Sequence, residues 1–132
     1  MTYVLDASTM IAYLRDEPGA DVVDEVLQNG QHICFAHGMN LCEVYYDYHR
    51  SGGTEAAAQA IELLRSSDIW FRSDMSEEFC VEVGVLKSET RRISLADCCA
   101  LMLTRRLNGT LLTSDHHEMD SLAGEHRIQF IR

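Results

Sequence analysis

The N-terminal stretch of residues 2–14 decides the fold, and it reads TYVLDASTMIAYL. Its first four residues form a short β-prone run that stops at Asp6. After Ser8 and Thr9 a helical pattern begins at residue 10 and continues to Leu14. The stretch therefore predicts a strand that leads into a helix.

The rest of the chain repeats this alternation. Four more β-prone runs are found at His32–Phe35, Ile69–Phe71, Thr110–Thr113 and Arg127–Ile131. Apolar residues at helical spacing predict helices at about 22–27, 38–49, 57–64, 76–88 and 95–107, with 38–49 and 57–64 forming a hairpin. Strands that alternate with helices predict an α/β fold with a mostly parallel sheet and helices on both faces.

Size and charge narrow the possible functions. The 132 residues, with a mass of 14.9 kDa, suit one domain spanning 1–132. No apolar run approaches the ~18 residues of a membrane span, so we expect a cytoplasmic protein. Its net charge is −10, which excludes binding of nucleic acid by overall charge alone. A polyanionic partner would require a metal ion or a local basic patch.

Two acidic residues directly follow predicted strands. Asp6 ends the first strand, and Asp115 follows the fourth in the sequence Leu111-Leu112-Thr113-Ser114-Asp115. Ligands of open α/β sheets bind beyond the carboxyl ends of the strands, so these two acids are candidate site residues. The alternative is that each is a turn residue or a helix N-cap.

Two further acids lie within predicted helices that would pack near the same rim of the sheet, the edge formed by the carboxyl ends of its strands. Glu43 follows Asn40 by one helical turn, and Asp97 follows Ser94 by three residues. Ser94 and Asp97 also fit a capping box, and Glu43 could be an ordinary exposed helical acid. If the four carboxylates converge, they favour a hard divalent ion such as Mg²⁺ or Mn²⁺, which can activate water against a phosphodiester.

Each of the four acids lies in a short motif. The motifs are Val4-Leu5-Asp6-Ala7-Ser8, Asn40-Leu41-Cys42-Glu43-Val44, Leu95-Ala96-Asp97 and Leu112-Thr113-Ser114-Asp115-His116-His117-Glu118. In this order and at these separations, they resemble the PIN domain, and in particular the toxins of VapBC toxin–antitoxin modules. The resemblance covers nearly the whole chain. It implies a three-layer α/β/α sandwich and an Mg²⁺- or Mn²⁺-dependent ribonuclease acting on RNA. It also implies an antitoxin protein as partner and a homodimer.

Carried over by position, the resemblance makes Asp6, Glu43, Asp97 and Asp115 the metal ligands and catalytic carboxylates. Ser8 and Thr113 match the hydroxyl positions beside the first and last acids, where they would orient carboxylates or metal-bound water. Asn40 is expected to face the same pocket. Helix capping is the alternative role for Ser8 and for Asn40.

Other interpretations stay open at this point. A strand followed by Asp could mark a phosphate-accepting aspartate, but the only lysine, Lys87, lies within a predicted helix. A PIN-like module that works only by protein contact is the non-enzymatic alternative. His116, His117, Glu118 and Asp120 follow Asp115 and could add ligands, but the adjacent histidines are interpreted as solvated residues of an exposed turn, and none of the four is predicted as a ligand. Of the two arginine pairs, Arg91-Arg92 and Arg105-Arg106, only Arg91-Arg92 precedes the Asp97 helix closely enough to border the pocket. Both pairs are interpreted as surface or partner contacts rather than as catalytic groups.

Overall fold

A computed structural model describes all residues from 1 to 132. Its five strands are β1 (Thr2–Leu5), β2 (Ile33–His37), β3 (Ile69–Arg72), β4 (Thr110–Thr113) and β5 (Ile128–Phe130). Its helices are α1 (Ala7–Leu14), α2 (Ala20–Gln28), α3 (Gly38–Ser66), α4 (Glu77–Thr90), α5 (Leu95–Arg106) and α6 (His116–Met119), the last followed by a 3₁₀ turn at Asp120–Leu122. No helix is long and apolar enough to cross a membrane.

The strands form one sheet in the order β3-β2-β1-β4-β5, and every pairing is parallel. The chain first builds outward from β1 through β2 to β3, and then returns to place β4 on the other side of β1. Connections therefore leave the sheet in opposite directions between β1 and β4. This is the switch point at which ligands of doubly wound sheets bind.

Alternation along the strands divides the core into two layers. Leu5 and Leu112 face a cluster formed with α1, α2 and α3, whereas Val4 and Leu111 face a cluster formed with α4, α5 and the segment after β4. Successive side chains of a strand point to opposite faces, so a sheet covered on both sides needs apolar residues throughout. The predicted three-layer α/β/α sandwich is confirmed.

Most predicted elements are present, and three details of the prediction are wrong. Helix α1 begins at Ala7 rather than near residue 10, because the Asp6 side chain caps it. Strand β2 continues to His37, two residues beyond the predicted end. The segment after Asp115 forms the short helix α6 instead of a plain turn.

The helical hairpin lies within α3. Gly53 interrupts the helix with φ 84° and ψ −174°, a conformation that glycine adopts readily because it has no Cβ. Residues from both sides of this break line one groove; Leu41 and Tyr45 come from the first half, and Ala58 and Ile61 from the second. The two halves therefore lie against each other.

Gly109 allows β4 to approach β1 closely. A Cβ at this position would lie 2.8 Å from the carbonyl oxygen of Thr2, a backbone atom that cannot rotate away. We expect Gly109→Ala to lower the free energy of unfolding by about 1–3 kcal/mol through this clash. Gly30, whose Cβ would meet nothing within 4 Å, supplies the control Gly30→Ala. Chemical denaturation of both variants measures the difference, and equal stability would contradict the close approach.

Candidate active site

Asp6 lies at the centre of the switch point. It follows β1 directly, is 1% exposed, and its Oδ1 accepts hydrogen bonds from the Thr9 amide at 2.9 Å and the Ser8 hydroxyl at 2.8 Å. Burial raises the pKa of Asp6, while the hydrogen bonds from Thr113, Thr9 and Ser8 oppose the rise. A buried carboxylate is thus held by polar contacts and has no cationic side chain beside it.

Ser8 links the ends of the two central strands. Its hydroxyl donates to Asp6 Oδ1 and accepts a hydrogen bond of 3.1 Å from the amide of Ser114, just after β4. The N-cap of α1 is Asp6, so the alternative role of Ser8 as the cap is wrong. Ser8 instead joins the Asp6 carboxylate to the segment that carries Asp115.

Thr113 and Asp115 form the β4 side of the rim. The Thr113 side chain is fully buried; its hydroxyl accepts from the Asp115 amide at 3.0 Å and lies near enough to Asp6 to lower the pKa of that carboxyl group. Asp115 caps α6 through Oδ1, which accepts from the Glu118 amide at 3.0 Å. Asp6 and Asp115 are therefore both helix caps, and capping uses only one oxygen of Asp115.

Asn40 connects three elements of the site. Its side chain is fully buried; Oδ1 accepts from the Ala7 amide at 3.3 Å, and Nδ2 donates to the Ala96 carbonyl at 3.1 Å. The N-cap of α3 is His37, so the capping alternative for Asn40 is wrong. The Asn40 amide joins α3 to the first turns of α1 and α5.

Asp97 occupies the first turn of α5, one residue after the carbonyl that Asn40 holds. Ser94 caps this helix by accepting a 3.1 Å hydrogen bond from the Asp97 amide, but the Asp97 carboxylate accepts no hydrogen bond from the Ser94 amide, so only half of the predicted capping box is present. Burial raises the pKa of Asp97 to about 7, and the charges of Asp6, Glu43 and Asp115 add to the rise. All four predicted acids are thus close enough to influence one titration.

Glu43 lies at the outer edge of the cluster. Its side chain is exposed, yet partial burial of the carboxylate and the charge of Asp6 both raise its pKa. The neighbouring acid Asp47 has a different role, because it forms ion pairs with Arg15 and Arg50 that lower its pKa. Of these two α3 acids, only Glu43 lacks a cationic partner.

The donor chemistry of this rim fits a hard divalent cation. The four carboxylates supply only oxygen, and none of them forms an ion pair with a basic residue. No three of the His, Cys, Asp and Glu side chains are grouped closely enough to form a complete metal site. A cation here would therefore complete its coordination shell with water or with rotated carboxylates.

Two residues that follow Asp115, His116 and Glu118, have different environments. His116 hydrogen-bonds to Asp120 and to the Arg132 carbonyl, and its ring stacks on that of Phe130 with 3.9 Å between the ring centroids. The His116 ring therefore contacts the C-terminal residues of the chain. Glu118 differs, because its buried Oε2 has no hydrogen-bond partner. No sequence pattern predicts the burial of this oxygen, because Glu118 follows two exposed histidines.

The sequence matches the family model of the PIN domain over residues 3–125. The chain belongs to the PIN domain family. No curated protein matches it. Thirty-four solved chains do match, and the fold of this PIN domain is therefore well represented.

Three solved structures illustrate the likeness. A VapBC-1 structure from nontypeable Haemophilus influenzae has 21% identity and a TM-score of 0.75, with 99% of this chain and 98% of that chain covered. DNA-bound VapBC from Salmonella typhimurium has 15% identity and a TM-score of 0.77, with 100% and 99% covered. Mycobacterium tuberculosis VapC20, described as a sarcin-ricin loop cleaving toxin, has 11% identity and a TM-score of 0.69, with 91% and 95% covered.

Asp97 should make stability depend on pH. Its pKa is raised from 3.8 to about 7, so the folded state binds the proton more tightly and stability falls as pH rises between these values. We expect Asp97→Asn to increase the free energy of unfolding at pH 8 by about 2 kcal/mol in metal-free buffer. This value is smaller than the full pKa shift implies, because the Asp97 side chain is partly exposed and solvent screens its charge. The gain should vanish near pH 3.5, where Asp97 is protonated in the folded state. Denaturation across this range measures the gain.

Asp24, exposed on α2, gives the matched control Asp24→Asn, which should change stability by less than about 0.5 kcal/mol at either pH. A gain for Asp97→Asn that is the same at pH 4 and pH 8 would contradict the electrostatic origin.

Asn40→Ala should destabilise the fold. The substitution leaves the Ala7 amide and the Ala96 carbonyl without partners inside the protein, which costs about 1–3 kcal/mol for each unsatisfied group. Asn29→Ala removes only one exposed hydrogen bond, from the Gln31 amide, and is the control. Thermal or chemical denaturation distinguishes them, and a neutral Asn40→Ala would show that water replaces both contacts.

Proposed function

We propose that this PIN domain is a metal-dependent endoribonuclease that hydrolyses RNA phosphodiester bonds. One observation carries the proposal: Asp6 after β1, Glu43 in α3 and Asp115 after β4 all raise the pKa of Asp97 in α5, and none of the four carboxylates has a basic partner. Such an arrangement is costly in a folded protein unless a cation or a bound ligand uses it. Membership of the PIN domain family and the similarity to VapC20, a sarcin-ricin loop cleaving toxin, support a nuclease.

Asp6, Glu43, Asp97 and Asp115 are the residues proposed to hold Mg²⁺ or Mn²⁺. When bound, the ion would polarise a phosphodiester oxygen and lower the pKa of a water nucleophile. Asp6 is the most rigid of the four because it is buried and hydrogen-bonded to Ser8 and to α1. Glu43, at the exposed edge, keeps the freedom to adjust to substrate.

Ser8, Asn40 and Thr113 are proposed to position these carboxylates. Ser8 and Thr113 each contact Asp6 and the segment that begins after β4, so they fix the separation of the Asp6 and Asp115 sides. Asn40 fixes the first turns of α1 and α5, which carry Asp6 as cap and Asp97. Because residues one step removed from a metal set the orientation of its ligands, their loss should weaken metal binding.

We further propose that the chain is the toxin of a type II toxin–antitoxin pair and acts in the cytoplasm. The similar structures include VapBC-1 from Haemophilus influenzae and DNA-bound VapBC from Salmonella typhimurium, which supports an antitoxin protein as partner and a homodimeric toxin. An antitoxin segment that covers the acidic rim would block access of RNA. The RNA substrate itself must reach a protein of net charge −10, so local positive charge or a metal ion is required.

Asp6→Asn and Asp97→Asn should each reduce RNA cleavage by more than about a hundredfold, since even residues that only support metal ligands contribute about 10–100-fold. Asparagine also caps helices, so the fold should persist, which circular dichroism checks. Calorimetric titration with Mn²⁺ should show a site in the unaltered chain that is weakened in both variants.

Asp24→Asn is the control for loss of one acidic charge and should leave cleavage and Mn²⁺ binding unchanged. Full cleavage by both site variants would refute the proposed carboxylate roles. Failure of the unaltered chain to bind Mn²⁺ or Mg²⁺ at millimolar concentration, together with no RNA cleavage, would refute the enzyme and favour a protein-binding module.

A further inference from the structure

Two arginines of this acidic chain stand apart from the rest. Of its ten arginines, six form ion pairs with carboxylates, and Arg105 and Arg127 hydrogen-bond to His126 and Asn108. Arg91 and Arg92 are exposed, and their guanidinium groups make no hydrogen bond, ion pair or aromatic contact. In a protein with 21 acidic residues, this pair is left uncompensated.

The backbone turn that carries Arg91 and Arg92 is held in place by a side chain of α4. The Lys87 ammonium donates to the carbonyls of Arg91 and Ile93, both at 2.6 Å. Arg91 has φ 57° and ψ −50°, a conformation that residues with a Cβ rarely adopt. Ile93 is 2% exposed and anchors the far side of the turn in the core. Lys87, the only lysine, therefore stabilises a turn that its sequence does not favour.

This turn leads directly to the candidate active site. Ser94 caps α5 immediately after the turn, and Asp97 lies in the first turn of that helix. The turn therefore lies at the same end of α5 as Asp97, whereas Arg105 and Arg106 are at the other end, about 20 Å away at 1.5 Å per residue. Neither Arg91 nor Arg92 forms an ion pair with the acids of the site.

We propose that the turn of Arg91 and Arg92, held by Lys87, binds phosphates of the RNA strand next to the bond that is cleaved. This inference rests on the proposed ribonuclease function and assigns to it the local positive charge that an acidic protein requires. Guanidinium groups bind phosphate through paired N–H donors, and phosphate contacts position a strand without reading its sequence. An anionic ligand is favoured over an antitoxin segment, because a partner that complements a charge of −10 would be basic and would be repelled by this pair.

The test measures RNA binding separately from cleavage. The probe is a fluorescein-labelled single-stranded RNA of mixed sequence, about 20 nucleotides long, titrated by fluorescence anisotropy at several salt concentrations. The full chain carries Asp97→Asn so that the RNA stays intact. Arg91→Gln/Arg92→Gln in this background should weaken binding by roughly tenfold or more. The slope of log affinity against log salt should fall by about 1.4, or about 0.7 for each lost phosphate contact on a single strand.

A matched variant controls for the loss of two positive charges. Arg105→Gln/Arg127→Gln removes the same charge at the opposite end of α5 and should change RNA affinity less than twofold with an unchanged salt slope. In the cleaving protein, Arg91→Gln/Arg92→Gln should raise KM with a smaller effect on kcat, because the pair contacts substrate away from the reacting atoms.

Lys87 is tested as a positioning residue. Lys87→Met removes both carbonyl contacts and should raise KM in the same direction as the arginine variants, whereas Lys87→Arg can still donate to both carbonyls and should restore much of the affinity. A purely structural lysine would lower thermal stability without changing the salt slope of RNA binding in the protein that remains folded.

The outcomes separate this inference from the proposed function. Unchanged RNA affinity in the Arg91→Gln/Arg92→Gln variant, with cleavage intact, would overturn the inference alone and assign the pair to a protein partner. RNA binding that depends on the pair in a chain that neither binds Mn²⁺ nor cleaves RNA would overturn the enzyme and keep the phosphate contact. No RNA binding and no cleavage by the unaltered chain would overturn both.

Discussion

The site depends on one buried amide, that of Asn40. This side chain accepts from the first turn of α1 and donates to the first turn of α5, and the helix that carries it also carries Glu43 one turn later. The fully buried Asn40 amide therefore helps to fix the positions of three of the four acids, Asp6, Glu43 and Asp97. A buried amide with one acceptor and one donor satisfied on different elements constrains orientation as well as distance, which purely apolar packing does not.

The acids of the rim combine structural and electrostatic roles. Asp6 and Asp115 cap helices, and Asp97 lies in the first turn of a third, so each is placed where helix N-termini favour negative charge. Capping stabilises the carboxylates of Asp6 and Asp115, whereas burial, together with the charges of Asp6, Glu43 and Asp115, raises the pKa of Asp97 to about 7. The fold therefore retains a local electrostatic cost at the place where function is proposed. Arg91 and Arg92, in the turn that precedes α5, form no ion pair with these acids.

The helix-capping roles suggested by the local sequence are only partly correct. For Asp6 and Asp115, the choice between cap and site residue was artificial, because one carboxylate can serve both purposes. For Ser8 and Asn40 the capping role was wrong, since Asp6 and His37 occupy those positions. Local patterns identify residues able to cap a helix, but which of two neighbours does so depends on where the preceding strand ends. Helix α6 was missed because four residues carry too little periodicity to be recognised.

The sequence by itself determined the order of strands and helices, the two-sided burial of the sheet and the four acids that follow or border strand ends. These follow from periodicity, which each segment carries in its own residues. Only the tertiary structure decided that β4 returns beside β1, that Asn40 joins three elements, and that Lys87 holds the turn of Arg91 and Arg92. Those features are contacts between residues distant in sequence, or between a side chain and a backbone carbonyl, and no local pattern records them. The carboxylates became one electrostatic unit only when parallel pairing brought the ends of β1 and β4 together.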